Sequence, residues 1–355
     1  MKRLEDLKEN IHKCSKCGLC QAECPIYKST GNDCTVSRGL FIMLRGYLKG
    51  ELKLTKGIKR YLDLCLKCGK CSEFCPSGID AVEIIATAKS EYLKKCFFEK
   101  FISFLQKYIF FSLIPNILSF FNRPYKSKKF DKKVLYFGGC GSKFKGDKSI
   151  VKIMNALKIE VLNPEFDCCG ISLFVRGDFK NYNLAIKKYI KTLKKYDIKE
   201  VLTSCASCEN TLKEYIKYAD IDDKKFLLNI SVRNIYEYIR ENELKIKLSS
   251  PQKVTYHKPC HFKNFKDVEW ILNNTENLEY IKMTGFDECC GLNGISNIKE
   301  YKTLSKIFNK KRENILNTQS QNVLTSCLGC ETALKLYSFN KYKVTDLIEF
   351  LAKHL

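Results

Sequence analysis

From Val134 onward two patterns alternate. Short apolar runs rich in β-branched and aromatic residues, VLYF at 134, VLTS at 201, VTYH at 254 and VLTS at 323, are each followed by stretches with apolar positions three or four residues apart. YNLAIKKYIKTLKKY and IKEYKTLSKIFNKKRENIL are the clearest such stretches. The first pattern reads as buried strand and the second as amphipathic helix, and their alternation predicts α/β units with a mostly parallel sheet. In such sheets ligands sit beyond the carboxyl ends of the strands, and here the runs end at cysteines. A helix beginning just after Cys208 or Cys330 would aim amide donors and a positive dipole end at an anionic group.

The pattern repeats at an offset of about 120 residues. VLYFGGCGSKF at 134 aligns with VTYHKPCHFKN at 254, FDCCGIS at 166 with DECCGLN, and KEVLTSCASCENTLK at 199 with QNVLTSCLGCETALK. Two homologous lobes follow. The expected organisation is residues 1–96 as a cysteine-rich first domain, 97–133 as an aromatic amphipathic segment with a basic linker, 134–245 as the first lobe and 246–355 as the second. Within 97–121 the longest charge-free run, Tyr108 to Phe121, is 14 residues long and contains Pro115, too short to span a bilayer. With Lys94, Lys95, Lys100 and Lys107 it suits either a helix lying on an anionic membrane surface or one packed on the lobes or a partner.

Cysteine changes the picture most. The 355 residues hold 20 of them, and the start, Met1 to Lys13, is charged rather than signal-like. Thiols this dense in a reducing compartment read as metal ligands rather than disulfides, with a cytoplasmic location expected. Residues 14–25 read CSKCGLCQAECP and residues 65–76 read CLKCGKCSEFCP. In this bacterial ferredoxin spacing three thiolates wrap one cubane, and the fourth, before proline, ligates the other. Cys14, Cys17, Cys20 and Cys75 are therefore assigned to one 4Fe-4S cubane, and Cys65, Cys68, Cys71 and Cys24 to a second. Gly18 and Gly69 are expected to let the backbone approach sulfur. Zinc, which favours two separated cysteine pairs, fits this run poorly. Cys34 and Cys96 fall outside the motif and read as small buried hydrophobes.

Each lobe presents five more cysteines: Cys140, Cys168, Cys169, Cys205 and Cys208, then Cys260, Cys289, Cys290, Cys327 and Cys330. A cubane needs four. Adjacent cysteines can share a metal centre only on a bent backbone, which Gly170 and Gly291 supply. The residues themselves leave open an unusual cluster, a redox-active thiol pair, a vicinal disulfide, a zinc site, or a lobe without metal. His257 and His261 flank Cys260 and read equally as hydrogen-bond or proton donors and as plain strand-end histidines.

The formal charge of +23 invites a nucleic-acid reading, but only 9 of the 62 basic residues are arginine and the lysines are spread along the chain. A solvated basic surface and no nucleic-acid partner is the expectation. No glycine-rich dinucleotide or phosphate loop follows any strand, so neither flavin nor nucleotide is expected on this chain.

A cysteine, then CCG, then C-x-x-C, twice over and preceded by two ferredoxin motifs, resembles the cysteine-rich (CCG) domain iron–sulfur oxidoreductases. These include heterodisulfide reductase and the iron–sulfur subunits of glycolate oxidase and anaerobic glycerol-3-phosphate dehydrogenase. The resemblance implies an α+β chain: an N-terminal, mainly helical two-cluster ferredoxin-like domain followed by two repeated α/β CCG lobes. It further implies that the ten lobe cysteines bind one or two additional, noncubane 4Fe-4S clusters. The expected function is electron transfer from a partner flavoprotein dehydrogenase, of glycolate, lactate or glycerol-3-phosphate type, to a quinone, a membrane cytochrome or another acceptor. That work would take place peripherally on the inner membrane face. The substrate site need not lie on this chain, since hydroxy-acid oxidation needs a two-electron organic cofactor. The alternative is a heterodisulfide-reductase-like catalytic subunit, toward which the complete Cys327–Cys330 pair leans. The short Cys140 to Cys168 gap departs from the family pattern. A non-enzymatic zinc or thiol scaffold is the third reading.

Overall fold

The structure is a computed structural model that describes residues 2–95, 125–164, 166–293 and 296–355. Cys96 and the 97–121 segment, with its expected membrane-surface helix, lie outside the described residues. Two compact units interleave along the chain: Met1–Phe104, Ser172–Lys180 and Glu288–Lys311 form the first, and Leu105–Ile171, Asn181–Asp287 and Arg312–Leu355 form the second. The first lobe thus gives the stretch after its CCG turn, and the second its CCG turn with the stretch after it, to the unit that contains the N-terminal domain. None of the described helices is long and apolar enough to cross a membrane.

The first unit is helical. Helix Ser37–Leu48 turns Leu40, Phe41 and Leu44 inward, the spacing of one helical face. They meet Leu62 of helix Lys56–Leu64, Ile84, Ile85 and Ala88 of helix Ala81–Lys95, and Leu4, Leu7 and Ile11 from the N-terminus. Cys14, Cys65, Cys71 and Cys75 pack against the edge of this core. The two lobe-derived stretches are fastened to it by specific contacts. Arg60 grips Glu300 with two parallel bonds of 2.5 and 2.9 Å, the strong bidentate form of an ion pair. Gly177, at φ +78°, lies so close to the chain that a Cβ would sit 2.3 Å from the Ser90 amide nitrogen. No side chain fits there.

The second unit holds two four-stranded parallel sheets of matching order. In the first, β1 (Lys133–Tyr136), β2 (Glu160–Leu162), β3 (Glu200–Thr203) and β4 (Ser231–Asn234) run β2-β1-β3-β4. In the second, β5 (Lys247–His257), β6 (Glu276–Tyr280), β7 (Asn322–Thr325) and β8 (Lys343–Asp346) run β6-β5-β7-β8. The central strands are buried along the apolar runs, Val134 to Tyr136 and Val201 to Thr203 among them, as parallel sheets covered on both faces require. The duplication extends to single contacts: Tyr136 Oη meets Ser204 Oγ at 3.0 Å, and Tyr256 Oη meets Ser326 Oγ at 2.8 Å.

At the ends of β4 and β8 the lobes differ by one atom type. Asn234 caps helix Ile235–Glu241 by accepting from the Tyr236 amide, and Asp346 caps helix Leu347–Ala352 by accepting from the Ile348 and Glu349 amides. Burial pushes the Asp346 carboxyl up to about 7, with the nearby Lys145 ammonium opposing the shift. Between the unfolded value, about 4, and 7 the native state therefore binds a proton that the unfolded chain does not, so this group's contribution to stability falls as pH rises through that window. Asp346→Asn, which keeps a capping acceptor, should be more stable than the parent at pH 8 by on the order of a few kcal/mol, and nearly equal to it at pH 4, when urea unfolding is compared at the two pH values.

Candidate functional site

The two ferredoxin-type loops fold alike. Lys16 and Gly18 take positive φ of 61° and 88°, and Lys67 and Gly69 take 56° and 77°. Short helices, Leu19–Glu23 and Lys70–Glu73, follow each. Gly69 has open space around its Cα, and its left-handed φ of 77° is itself a reason for glycine there. One cavity is lined by Cys14, Cys17, Cys20 and Cys75, with Cys71 on its wall, and another by Cys24, Cys65, Cys68 and Cys71. The crossing of the fourth cysteines follows from Cys-Pro. Pro25 opens helix Pro25–Thr30 and holds Cys24 extended at φ −78°, ψ 116°, turning its chain away from its own triplet. Burial pushes the Cys24 thiol up to about 11 and the Cys71 thiol up to about 12. These sulfurs give up protons only to a partner that offsets the charge, as iron does. Arg45 donates to the carbonyls of Ile11 and Cys14 at 2.8 and 3.0 Å and holds the first loop in place. Cys34 is half-buried in the 3-10 turn Asp33–Thr35, its amide bonded to Asn32 Oδ1 at 2.9 Å.

In the second unit the thiols form a continuous line. Cys140 hydrogen-bonds Cys168, Cys168 bonds Cys169, and Cys169 meets Cys208 at 3.6 Å. Cys208 bonds Cys205, Cys205 bonds Cys327 of the other lobe, and Cys327 bonds Cys330. Hydrogen bonds from Cys168 and Cys208 hold the Cys169 thiol well below its ordinary range, and those from Cys205 and Cys330 do the same for Cys327. The CCG turn is bent at Gly170, φ 74°, whose amide points at Cys168 Sγ from 3.5 Å. Tyr215 Oη donates to the Cys169 carbonyl at 2.7 Å and fixes the peptide between them.

The helices at the C-x-x-C pairs begin earlier than the sequence pattern implies. They start at Ala206 and Leu328, with Cys205 and Cys327 as their extended N-cap residues. The amides of Cys208 and Cys330 accordingly point back at the Cys205 and Cys327 sulfurs. Helix-end donors thus face the first cysteine of each pair, and Cys327 is held low while Cys205, which bonds Cys208 and Cys327, stays raised.

Of the second-lobe set, Cys289 and Cys290 belong to the first unit, and Cys260, Cys327 and Cys330 to the second. The second CCG turn repeats the first: Gly291 has φ +85° and its amide meets Cys289 Sγ at 3.5 Å. His257 is fully buried at the end of β5, its carbonyl accepting from Thr325 Oγ1 at 3.0 Å. His261 Nδ1 pairs with Ser207 Oγ at 3.0 Å, and Ser207 Oγ reaches Cys327 Sγ at 3.3 Å. Ser207 is a site residue that no sequence pattern singles out. It is one of the two spacers in CASC, where the other lobe has glycine, and a serine in a first helical turn carries no signal of its own.

An all-sulfur donor set with helix-end amides suits iron–sulfur chemistry. Residues 10–79 match the family model of the 4Fe-4S dicluster domain, and residues 134–213 and 254–335 match that of the cysteine-rich domain named CCG. The chain belongs to the CCG-domain iron–sulfur proteins. It is 23% identical over 91% of its length to the probable glycolate oxidase iron-sulfur subunit of Bacillus subtilis, covering 88% of that protein. It is 22% identical, again over 91% of the chain and 88% of the relative, to a dihydromethanophenazine:CoB–CoM heterodisulfide reductase subunit of Methanosarcina acetivorans. In fold it is similar to a hypothetical protein from Helicobacter pylori, with a TM-score of 0.54 at 11% identity, over 92% of this chain and 68% of that one. These relatives are named as oxidoreductase subunits, which supports a redox role in general for the CCG-domain chain.

In the second CCG turn a Cβ on Gly291 would meet Phe308 and Ile307 at 3.3 Å on top of the strain of its φ. Gly291→Ala should cost about 1–3 kcal/mol locally and lower the total iron content while the ferredoxin-type signals persist. Iron and sulfide analysis with electron paramagnetic resonance (EPR) of the anaerobic protein checks this.

Proposed function

We propose that this chain is the electron-carrying iron–sulfur subunit of a flavin-dependent respiratory dehydrogenase of the glycolate/lactate or glycerol-3-phosphate type. The observation that carries the reading is the exchange of fourth cysteines between two adjoining cavities, Cys75 to the Cys14 loop and Cys24 to the Cys65 loop, an arrangement suited to conduction between sites. In this reading Cys14, Cys17, Cys20 and Cys75 hold one cubane and Cys65, Cys68, Cys71 and Cys24 the other. Cys140, Cys168, Cys169, Cys205 and Cys208 hold a further cluster in the first lobe, and Cys260, Cys289, Cys290, Cys327 and Cys330 one in the second. Bound there, 4Fe-4S groups supply one-electron redox chemistry. The chain's own part is to present thiolates, to aim the Gly170, Gly291, Cys208 and Cys330 amides at sulfur, and to exclude water. A flavoprotein partner delivers the electrons, and a quinone or membrane cytochrome accepts them at the cytoplasmic membrane face, with the 97–121 segment as the contact.

One feature favours a second reading, heterodisulfide reduction at the lobes. The thiol line crosses from lobe to lobe at Cys205 and Cys327, beside the Ser207–His261 pair that could donate a proton.

Anaerobic purification from the native host separates the two: a co-purifying flavoprotein supports electron carriage, and a b-type cytochrome or hydrogenase without flavin moves catalysis into the lobes. The isolated chain should contain roughly 8 to 16 irons with matching sulfide; zinc without sulfide would overturn both readings. Cys169→Ser and Cys290→Ser should each abolish only its own lobe's spectral signal, and loss of neither would contradict the ligand assignment.

A further inference from the structure

Beside the first CCG turn the second unit holds a cavity of about 180 Å³. It lies just past the carboxyl end of β1, where Phe137 follows Tyr136 and its amide donates to the Leu202 carbonyl of β3 at 2.8 Å. The strand order reverses between β1 and β3, and ligands of parallel sheets enter at such a switch point. Of the first lobe's five cysteines only Cys168 lines the cavity. The space is therefore additional to the thiol line, which it meets at a single residue.

The lining has two chemistries. Phe137, Phe166, Tyr189 and Tyr215, all buried, form one aromatic wall. Ring centroids lie 4.9 Å apart for Phe137 and Phe166, 5.7 Å for Phe166 and Tyr189, and 5.4 Å for Tyr189 and Tyr215. Burial holds the Tyr189 phenol above its ordinary range, so it stays a donor, and its hydroxyl has no hydrogen-bond partner among the described residues. A buried donor in this condition is costly until a guest supplies an acceptor. The rest of the lining is basic. Lys188 and Lys191 are exposed and mark the mouth, with Lys188 2.8 Å from the Asp167 carboxylate. Both stand on helix Phe179–Tyr196, which from Asn181 onward carries Lys187, Lys188, Lys191, Lys194 and Lys195 and no acidic residue. Such a helix concentrates anions at the opening.

A positive mouth over an aromatic wall selects a flat ring that carries negative charge. The volume suits one ring or two fused rings, since about 150 Å³ is enough for benzene. We propose that this cavity is a binding site for a small planar aromatic anion, its ring against the Phe137–Tyr215 wall and its acidic group beside Lys188 and Lys191. Bound there, the ring abuts Cys168 and so lies next to the first lobe's thiols. The site belongs to the lobe fold itself and goes beyond the electron-carrier reading, which it neither needs nor tests.

Calorimetric titration of the full chain, purified anaerobically with the metal it holds, uses 2-naphthoate as the probe, with 2-naphthol as its neutral counterpart and cyclohexanecarboxylate as a non-planar anion. 2-Naphthoate should bind once per chain, and the other two about tenfold more weakly. Ala185, half-buried in the lining, offers a way to fill the space: Ala185→Phe should weaken 2-naphthoate about tenfold or more. Lys191→Gln should weaken it about threefold and flatten its salt dependence, while 2-naphthol is unaffected. Iron content and urea midpoint equal to the parent's show that a variant is folded. Undiminished binding by folded Ala185→Phe makes the binding adventitious and overturns the proposal, as does equal affinity for the three probes or no binding by the parent at millimolar concentration. If Ala185→Phe does not fold, Lys191→Gln decides alone: unaltered affinity and salt dependence overturn the site.

Discussion

The constraint on which this molecule depends is the burial of sulfur that has to carry charge. Cys169, Cys208, Cys327 and Cys330 are all buried, and a desolvated thiolate is costly unless donors or metal surround it. The protein answers with backbone. Left-handed turns at Gly170 and Gly291 bring an amide to within 3.5 Å of the first CCG sulfur, and helix starts at Ala206 and Leu328 bring others to Cys205 and Cys327. Backbone donors add no positive charge and are fixed before a ligand arrives, so the site is organised in advance of the iron it is suited to hold.

Duplication gives this arrangement twice and then departs from symmetry where the lobes meet. Strand order, the Tyr–Ser pairs and the CCG turns are copied. Ser207 stands where the second lobe has Gly329, and the serine reaches the Cys327 sulfur of the other lobe. Asn234 becomes Asp346, and Lys145 is drawn to Glu331 and Glu349 beside it. A half-buried ionisable carboxyl appears in one lobe where the other keeps a neutral amide. Two copies in one chain are free to diverge in this way, whereas identical subunits of a homodimer are not.

The interleaving of the units has a similar logic. The residues after each CCG turn leave the α/β unit and are clamped to the helical one, by Arg60 on Glu300 and by the Gly177 approach to Ser90. The second CCG turn is anchored in this way on its far side. The distance from its sulfurs to the Cys65 loop is set by short, well-defined contacts rather than by a linker.

Local chemistry is legible in the sequence. The ferredoxin runs, the repeat and the two α/β lobes follow from spacing, because a cluster needs its thiols at fixed intervals along the chain and a buried strand needs its apolar run. The helix starts at Cys205 and Cys327 fall a few residues earlier than periodicity indicates, because apolar spacing says little about which residue caps the first turn. Tertiary structure alone decided what depends on contacts far apart in sequence. It set Ser207 and His261 beside Cys327, Asn293 under the Asp63 carbonyl, and Cys205 against its own repeat partner. No local pattern marks such residues, since each is an ordinary polar or small side chain until the fold supplies its neighbour. Spacing along the chain marks the cysteine motifs; which of their side chains lie next to which was left to the fold, because that is a matter of packing between segments more than a hundred residues apart.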